Sequence, residues 1–156
     1  MSRKTIAKKN FADKDPIHKS RLVSMLINRI IKNGKKSLAQ RITYTAMDLI
    51  QDKTHANAIK ILEKAVKNVT PLVEVKGRRI GGSTYQVPIE VKTYRGTNLA
   101  LRWLINAAKK RTGTNIIVKL SNEIIDASNY TGNAIRKKEE VHKMAEANRA
   151  FAHYRY

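Results

Sequence analysis

The sequence predicts a mainly α-helical fold, a six-helix bundle-like domain with one protruding two-stranded β-hairpin between the third and fourth helices. Three observations predict it. Apolar residues recur at helical spacing through most of the chain, the period drops to two in a single stretch around Gly81-Gly82, and helical spacing then returns. At 156 residues with 42% apolar side chains the chain supplies one core, and its formal charge of +20 calls for a polyanionic partner.

Residues 1–19 hold Arg3, Lys4, Lys8, Lys9, Lys14 and Lys19 against Asp13 and Asp15, and read as a basic N-terminal arm. The remainder, 20–156, reads as a single helical domain. Its first helix places Leu22, Val23, Leu26, Ile27, Ile30 and Ile31 on one side and is stopped by Gly34. Lys35 and Lys36 occupy the turn, and Ser37 with Gln40 forms the capping box of a second helix carrying Leu38, Ala39, Ile42, Ala46, Leu49 and Ile50. A third helix, from about Asn57 to Val69, buries Ala58, Ile59, Leu62, Ala65, Val66 and Val69 before Pro71.

The hairpin spans 72–91. Val73 and Val75 alternate with Glu74, Lys76 and Arg78, and Tyr85, Val87, Ile89 and Val91 with Gln86 and Glu90; Pro88 points to a free-standing ribbon. Thr97 is the expected N-cap of a fourth helix that buries Leu99, Ala100, Trp103, Leu104, Ala107 and Ala108 and closes at Gly113. A fifth, from about Asn115 to Asn129, turns Ile116, Ile117, Leu120, Ile124 and Ala127 inward and leaves Val118 and Ile125 on its far side, where a partner could meet them. The basic C-terminal helix and tail, 133–156, have only a thin stripe of Ala134, Val141 and Ala145.

Enzyme chemistry finds no support. There is no cysteine, and His18, His55, His142 and His153 are scattered without metal-ligand spacing. Gly81-Gly82 lacks the Gly-Lys-Ser/Thr of a phosphate loop, and Glu139-Glu140, adjacent on a helix, do not face each other. No cofactor, metal or small-molecule substrate is expected, and no apolar run is long enough for a membrane span.

The cations are better placed. Lys76, Arg78 and Arg79 near a glycine-rich tip can reach phosphates, although charges on an exposed edge also guard against aggregation. Lys35-Lys36 reads equally as a solvated turn, and Lys109-Lys110-Arg111 also complements a helix dipole. Phe151, His153, Tyr154 and Tyr156, interleaved with Arg149 and Arg155, either stack on bases or dock the tail on the protein. A DNA-binding helix-turn-helix protein fits less well, because the cations are spread over arm, turn, hairpin and tail rather than gathered on one recognition helix. An RNA-modifying enzyme would need an acid–base constellation or a cofactor loop.

The run from Val73 through Arg78-Arg79-Ile80-Gly81-Gly82-Ser83-Thr84-Tyr85-Gln86-Val87-Pro88-Ile89-Glu90-Val91, and the ending Lys137-Lys138-Glu139-Glu140-Val141-His142-Lys143-Met144-Ala145-Glu146-Ala147-Asn148-Arg149-Ala150-Phe151-Ala152-His153-Tyr154-Arg155, closely resemble the bacterial-type small-subunit ribosomal protein seven family. Asp15-Pro16, Gly34-Lys35-Lys36-Ser37 and Ala100-Leu101-Arg102-Trp103 resemble it in the same order, while Gly77 and Thr43 depart from the family's usual serine or alanine and apolar residue. The resemblance implies a primary binder of the 3′ major domain of small-subunit ribosomal RNA that nucleates assembly of the subunit head. It also implies a hairpin and C-terminal helix near exit-site tRNA and the mRNA exit path, with small-subunit proteins nine and eleven as neighbours. Carried onto this chain, the RNA-contact positions are Arg3, Lys4, Lys8, Lys9, Lys35, Lys36, Lys76, Arg78, Arg79, Arg102, Lys109, Lys110, Arg111, Arg136, Lys137, Lys138, Lys143 and Arg149. Asp15-Pro16-Ile17, Arg21-Leu22-Val23 and the stretch from Ala134 to Glu140 look most like the plastid branch, and the absence of a transit peptide fits synthesis inside the plastid; a bacterial cytoplasm is the second expectation.

Overall fold

A computed structural model describes residues 12–155, so Arg3, Lys4, Lys8 and Lys9 of the arm, and Tyr156, lie outside the described residues. Six α-helices appear in order: α1 (Arg21–Ile30), α2 (Lys36–Thr54), α3 (Ala58–Val69), then, after the hairpin strands β1 (Val73–Ile80) and β2 (Ser83–Glu90), α4 (Thr93–Lys110), α5 (Ile116–Ser128) and α6 (Asn133–Ala147). A terminal 3-10 segment, Arg149–Arg155, follows.

The most apolar of the helices, α5, is the centre of the bundle and packs against α2, α3 and α4; α1 lies across α2 and α4. Leu26, Met47, Ile50, Leu62, Leu101, Leu104, Leu120 and Ile124 are its largest fully buried apolar side chains. Asn57 and Asn115 cap α3 and α5, each accepting the amide N–H two residues on, which satisfies a donor the helix itself leaves open.

Several expected boundaries move. Both α1 and α4 end before the glycines expected to stop them. Asn33 and Gly34 form the left-handed turn beyond Ile30, and Gly113 lies in the loop beyond Lys110. Ser37 makes no cap, because α2 already begins at Lys36 with Lys35 at the N-cap position. Thr97 is likewise inside α4, donating to the Thr93 carbonyl, since the helix starts at Thr93. Gly96 is the reason that early turn fits: a Cβ there would come within 2.8 Å of the Thr70 methyl.

Burial also departs from the expected stripes. In α2, Leu38 is exposed and Ile42 and Leu49 are half-buried, whereas Thr43 and Met47 are buried. Thr43 tolerates this because its hydroxyl donates to the Ala39 carbonyl at 2.9 Å. Ile125 packs against the core rather than facing outward, while Val118 is exposed. Trp103 is half-buried against the core.

The hairpin is a two-stranded antiparallel sheet turned by Gly81 and Gly82, both at positive φ, as a two-residue turn of this twist requires. The register pairs Lys76 with Val87, Arg78 with Tyr85 and Val75 with Pro88. Residues directly opposite share a face, so the β2 row of Tyr85, Val87 and Ile89 lies with Glu74, Lys76 and Arg78, and the valines of β1 lie on the other face. Neither face is purely apolar. The ribbon is covered by α6 and the 3-10 segment rather than by a second sheet.

Candidate nucleic-acid interface

Two basic troughs form where helices and hairpin meet. The first runs between α1, α4 and the root of the hairpin. A groove of about 750 Å³ there is lined by Arg29, Lys76, Lys92, Arg95 and Arg102, with Glu74, Glu90, Tyr94 and Asn98. It continues past Arg29, Tyr94 and Asn98 into a cleft of about 580 Å³ whose wall includes Arg21, Leu22 and Met25.

Within this trough Glu74 is spoken for: both its carboxylate oxygens accept from Arg95, at 2.7 and 2.9 Å, which raises the Arg95 pKa. Arg29 donates to the Asn98 side-chain oxygen at 2.6 Å. Burial, and then the nearby charge of Arg102, push the Arg29 pKa down. Two like charges lining one groove raise the local positive potential, which suits an anion such as phosphate.

The second trough, about 670 Å³, lies where the α4–α5 loop meets the start of α6. Lys110, Arg111, Lys119 and Arg136 line it with Thr112, Thr114, Asn115, Asn122 and Asn133, a mixture of cations and short polar donors fitted to phosphate and sugar. Arg111 differs from the rest. Its guanidinium bonds Glu123, which is wholly buried, and Asp126. Burial opposes its charge, but the bonds to Asp126 and Glu123 win and hold its pKa above the ordinary value.

The expected contact residues therefore divide. The troughs unite Lys76 with Arg102, and Lys110 with Arg111 and Arg136. Lys35 and Lys36 are exposed at the α1–α2 turn, away from both, and Lys109, Lys143 and Arg149 are exposed. Arg78 and Arg79, neighbours on a strand, point to opposite faces of the ribbon, Arg78 beside Tyr85 and Arg79 beside Thr84. Lys137 pairs with Glu140 at 2.8 Å, lowering that carboxyl's pKa, and Lys138 donates to the Asn68 carbonyl at 2.7 Å. The tail aromatics dock on the hairpin: Tyr85 lies 5.3 Å from Phe151 and 5.7 Å from Tyr154, centroid to centroid.

Arg29, Lys92, Arg95 and Lys119 escaped sequence reasoning. Arg29 occupies the last turn of a helix, where a cation is expected for dipole reasons alone. Only its place on the same groove as Arg102 marks it. Among the described residues no His, Asp or Glu cluster could hold a metal ion, and no helix is long and apolar enough to cross a membrane.

The family model of ribosomal protein S7p/S5e matches residues 2–149. The "Small ribosomal subunit protein uS7" of the cyanobacterium Thermosynechococcus vestitus (strain NIES-2133 / IAM M-273 / BP-1) is 59% identical over 156 residues, covering all of both chains.

Proposed function

Because the chain belongs to the ribosomal protein S7p/S5e family, a family of structural ribosomal proteins and not of enzymes, we propose that it is built into the small ribosomal subunit as a primary ribosomal-RNA binder. Its target is the 3′ major domain of the small-subunit RNA, where it nucleates assembly of the head. The observation that carries this reading is the Arg29–Arg102 trough, in which cations from α1, α4 and the hairpin converge on one groove. Folded RNA presents phosphates in a fixed three-dimensional pattern, and a rigid scaffold with cations on separate elements reads that pattern by shape.

The exposed Lys35, Lys36, Lys109, Lys143 and Arg149 extend the contact around the molecule, while Arg111 serves chiefly to join α4 to α5. The hairpin and α6 reach toward exit-site tRNA and the mRNA exit path, and small-subunit proteins nine and eleven are the protein neighbours. The arm, residues 1–19, adds Arg3, Lys4, Lys8 and Lys9 to the RNA contact. We place the protein in the ribosomes of the plastid stroma. The cyanobacterial source of the relative favours a bacterial cytoplasm as the second reading.

The test is a competition at one physiological salt concentration between a 3′ major domain transcript, an unrelated structured RNA and duplex DNA. A preference of at least about a hundredfold for the ribosomal fragment is expected. Equal binding to all three would reduce the interaction to the +20 charge and overturn the proposal.

A further inference from the structure

A two-stranded ribbon is marginal alone and has no intrinsic direction relative to the helices it leaves. In this protein the ribbon is contacted along its length by the C-terminal segment. Lys138 and His142, one turn apart on α6, hold the end of α3 and the connector that follows it: Lys138 Nζ donates to the carbonyl of Asn68 in the last turn of α3 at 2.7 Å, and His142 Nε2 accepts the connector's Leu72 N–H at 3.1 Å. Leu72 is also tied to the other strand's exit, its carbonyl accepting from Val91 N–H at 3.0 Å. Farther out, the 3-10 segment lays Phe151 and Tyr154 on Tyr85, within a four-ring cluster completed by Tyr85 itself and His153, the last 3.9 Å from Tyr154.

The connector and the outer half of β2 are thus held by one continuous C-terminal segment. Its apolar stripe buries only Ala134, Ile135 and Ala145, so much of what it contributes is these polar and aromatic contacts with the ribbon. Tyr85 stands opposite Arg78, so the ring cluster sits against the same face as that cation.

We infer that α6 and the 3-10 segment act as a splint that sets the direction of the hairpin, with Lys138, His142, Phe151 and Tyr154 as positioning residues. The inference rests on the reading of the hairpin as an RNA-contact element. A ribbon freed of the splint samples many directions, and its affinity falls by the fraction of time it spends in the competent one.

The chain has no cysteine, so single cysteines at Ser83 on the hairpin and Glu63 on α3 allow spin-label distances to be read directly in the full-length protein. In the charge-neutral double variant Phe151→Ala with Tyr154→Ala, the distance distribution broadens relative to the parent, and affinity of the unlabelled variant for a 3′ major domain transcript falls about tenfold, as for a ribbon correctly aimed about a tenth of the time. Phe151→Tyr with Tyr154→Phe restores both. A distribution that stays as narrow as the parent's overturns the splint, including when affinity falls, since the rings would then touch RNA themselves. Should circular dichroism show the double variant unfolded, Tyr154→Ala alone takes its place with the same criteria. If the parent chain shows no preference for ribosomal RNA, the RNA reading fails, while the distance distribution still decides the splint.

Discussion

Glu123 accepts the backbone N–H of Ala134 at 2.9 Å, so a fully buried carboxylate on α5 caps the first turn of α6. Its other oxygen takes the Arg111 guanidinium from the end of α4, and three helices meet at one charge pair. The loop before α6 is fitted to it: a Cβ on Gly132, which also has positive φ, would come 3.0 Å from the Glu123 oxygen.

Removing the cation from this pair strands a buried carboxylate. Arg111→Met is therefore expected to lower stability by about 3 kcal/mol, measured as a shift in the urea midpoint with unchanged slope. A loss below about 1 kcal/mol would mean that the Ala134 amide alone suffices to hold the charge.

Gly96 gives a second test. Alanine there gains about 1 kcal/mol of helix propensity but drives a methyl into Thr70. Thr70 cannot turn away easily, being β-branched and bonded through its hydroxyl to the Val66 carbonyl at 2.6 Å. Gly96→Ala is expected to destabilise by about 1 kcal/mol net, and adding Thr70→Ser, which keeps the hydroxyl and removes the methyl, recovers the loss. Failure of the second change to rescue the first would refute the steric account.

His142 makes stability depend on pH. Burial, and then Lys138, hold its folded pKa below the ordinary value, and Nε2 accepts a hydrogen bond only when unprotonated. The unfolded chain then binds the proton more readily. This contribution is fully present above the unfolded value of about 6.5 and is lost as pH falls from there toward the folded value. Urea midpoints at pH 7.5 and 5.5 should converge for wild type and His142→Gln at the lower pH. A wild-type advantage that grows on acidification would reverse the sign and sink the idea.

The hairpin arginines address the interface directly. Arg78→Ala with Arg79→Ala should leave circular dichroism unchanged while reducing the slope of log affinity against log salt by about 1.5, for two phosphates released. Because the two side chains lie on opposite faces, each single variant should account for about half of that change. An unaltered slope would take the hairpin out of the interface.

Local chemistry made most of the fold legible. Asn57 and Asn115 announce α3 and α5 because a side-chain acceptor before an apolar helix satisfies backbone donors whatever surrounds it. Gly81-Gly82 announces the turn because few other residues adopt its dihedrals. Thr93 gave no such sign. The first turn of α4 exists because Gly96 lets it approach Thr70, and Arg95 pairs with Glu74 across the groove. Met47 was missed in the α2 stripe, and Thr43, a departure from an apolar position by resemblance alone, is buried with it, because α2 packs on both α1 and α5 and so buries a wider arc than one periodic row.

By itself the sequence determined the charge, the order of helices and hairpin, and the resemblance to ribosomal protein seven, since each is carried by composition or by neighbours a few residues apart. Tertiary structure alone decided which cations act together. Arg29 shares a groove with Arg102, and Arg111 is taken by Glu123, while the tail rings settle on Tyr85. The reason is physical: helix and turn signals are local, whereas the placing of one charge beside another depends on how whole elements pack, and no periodicity within either element records it.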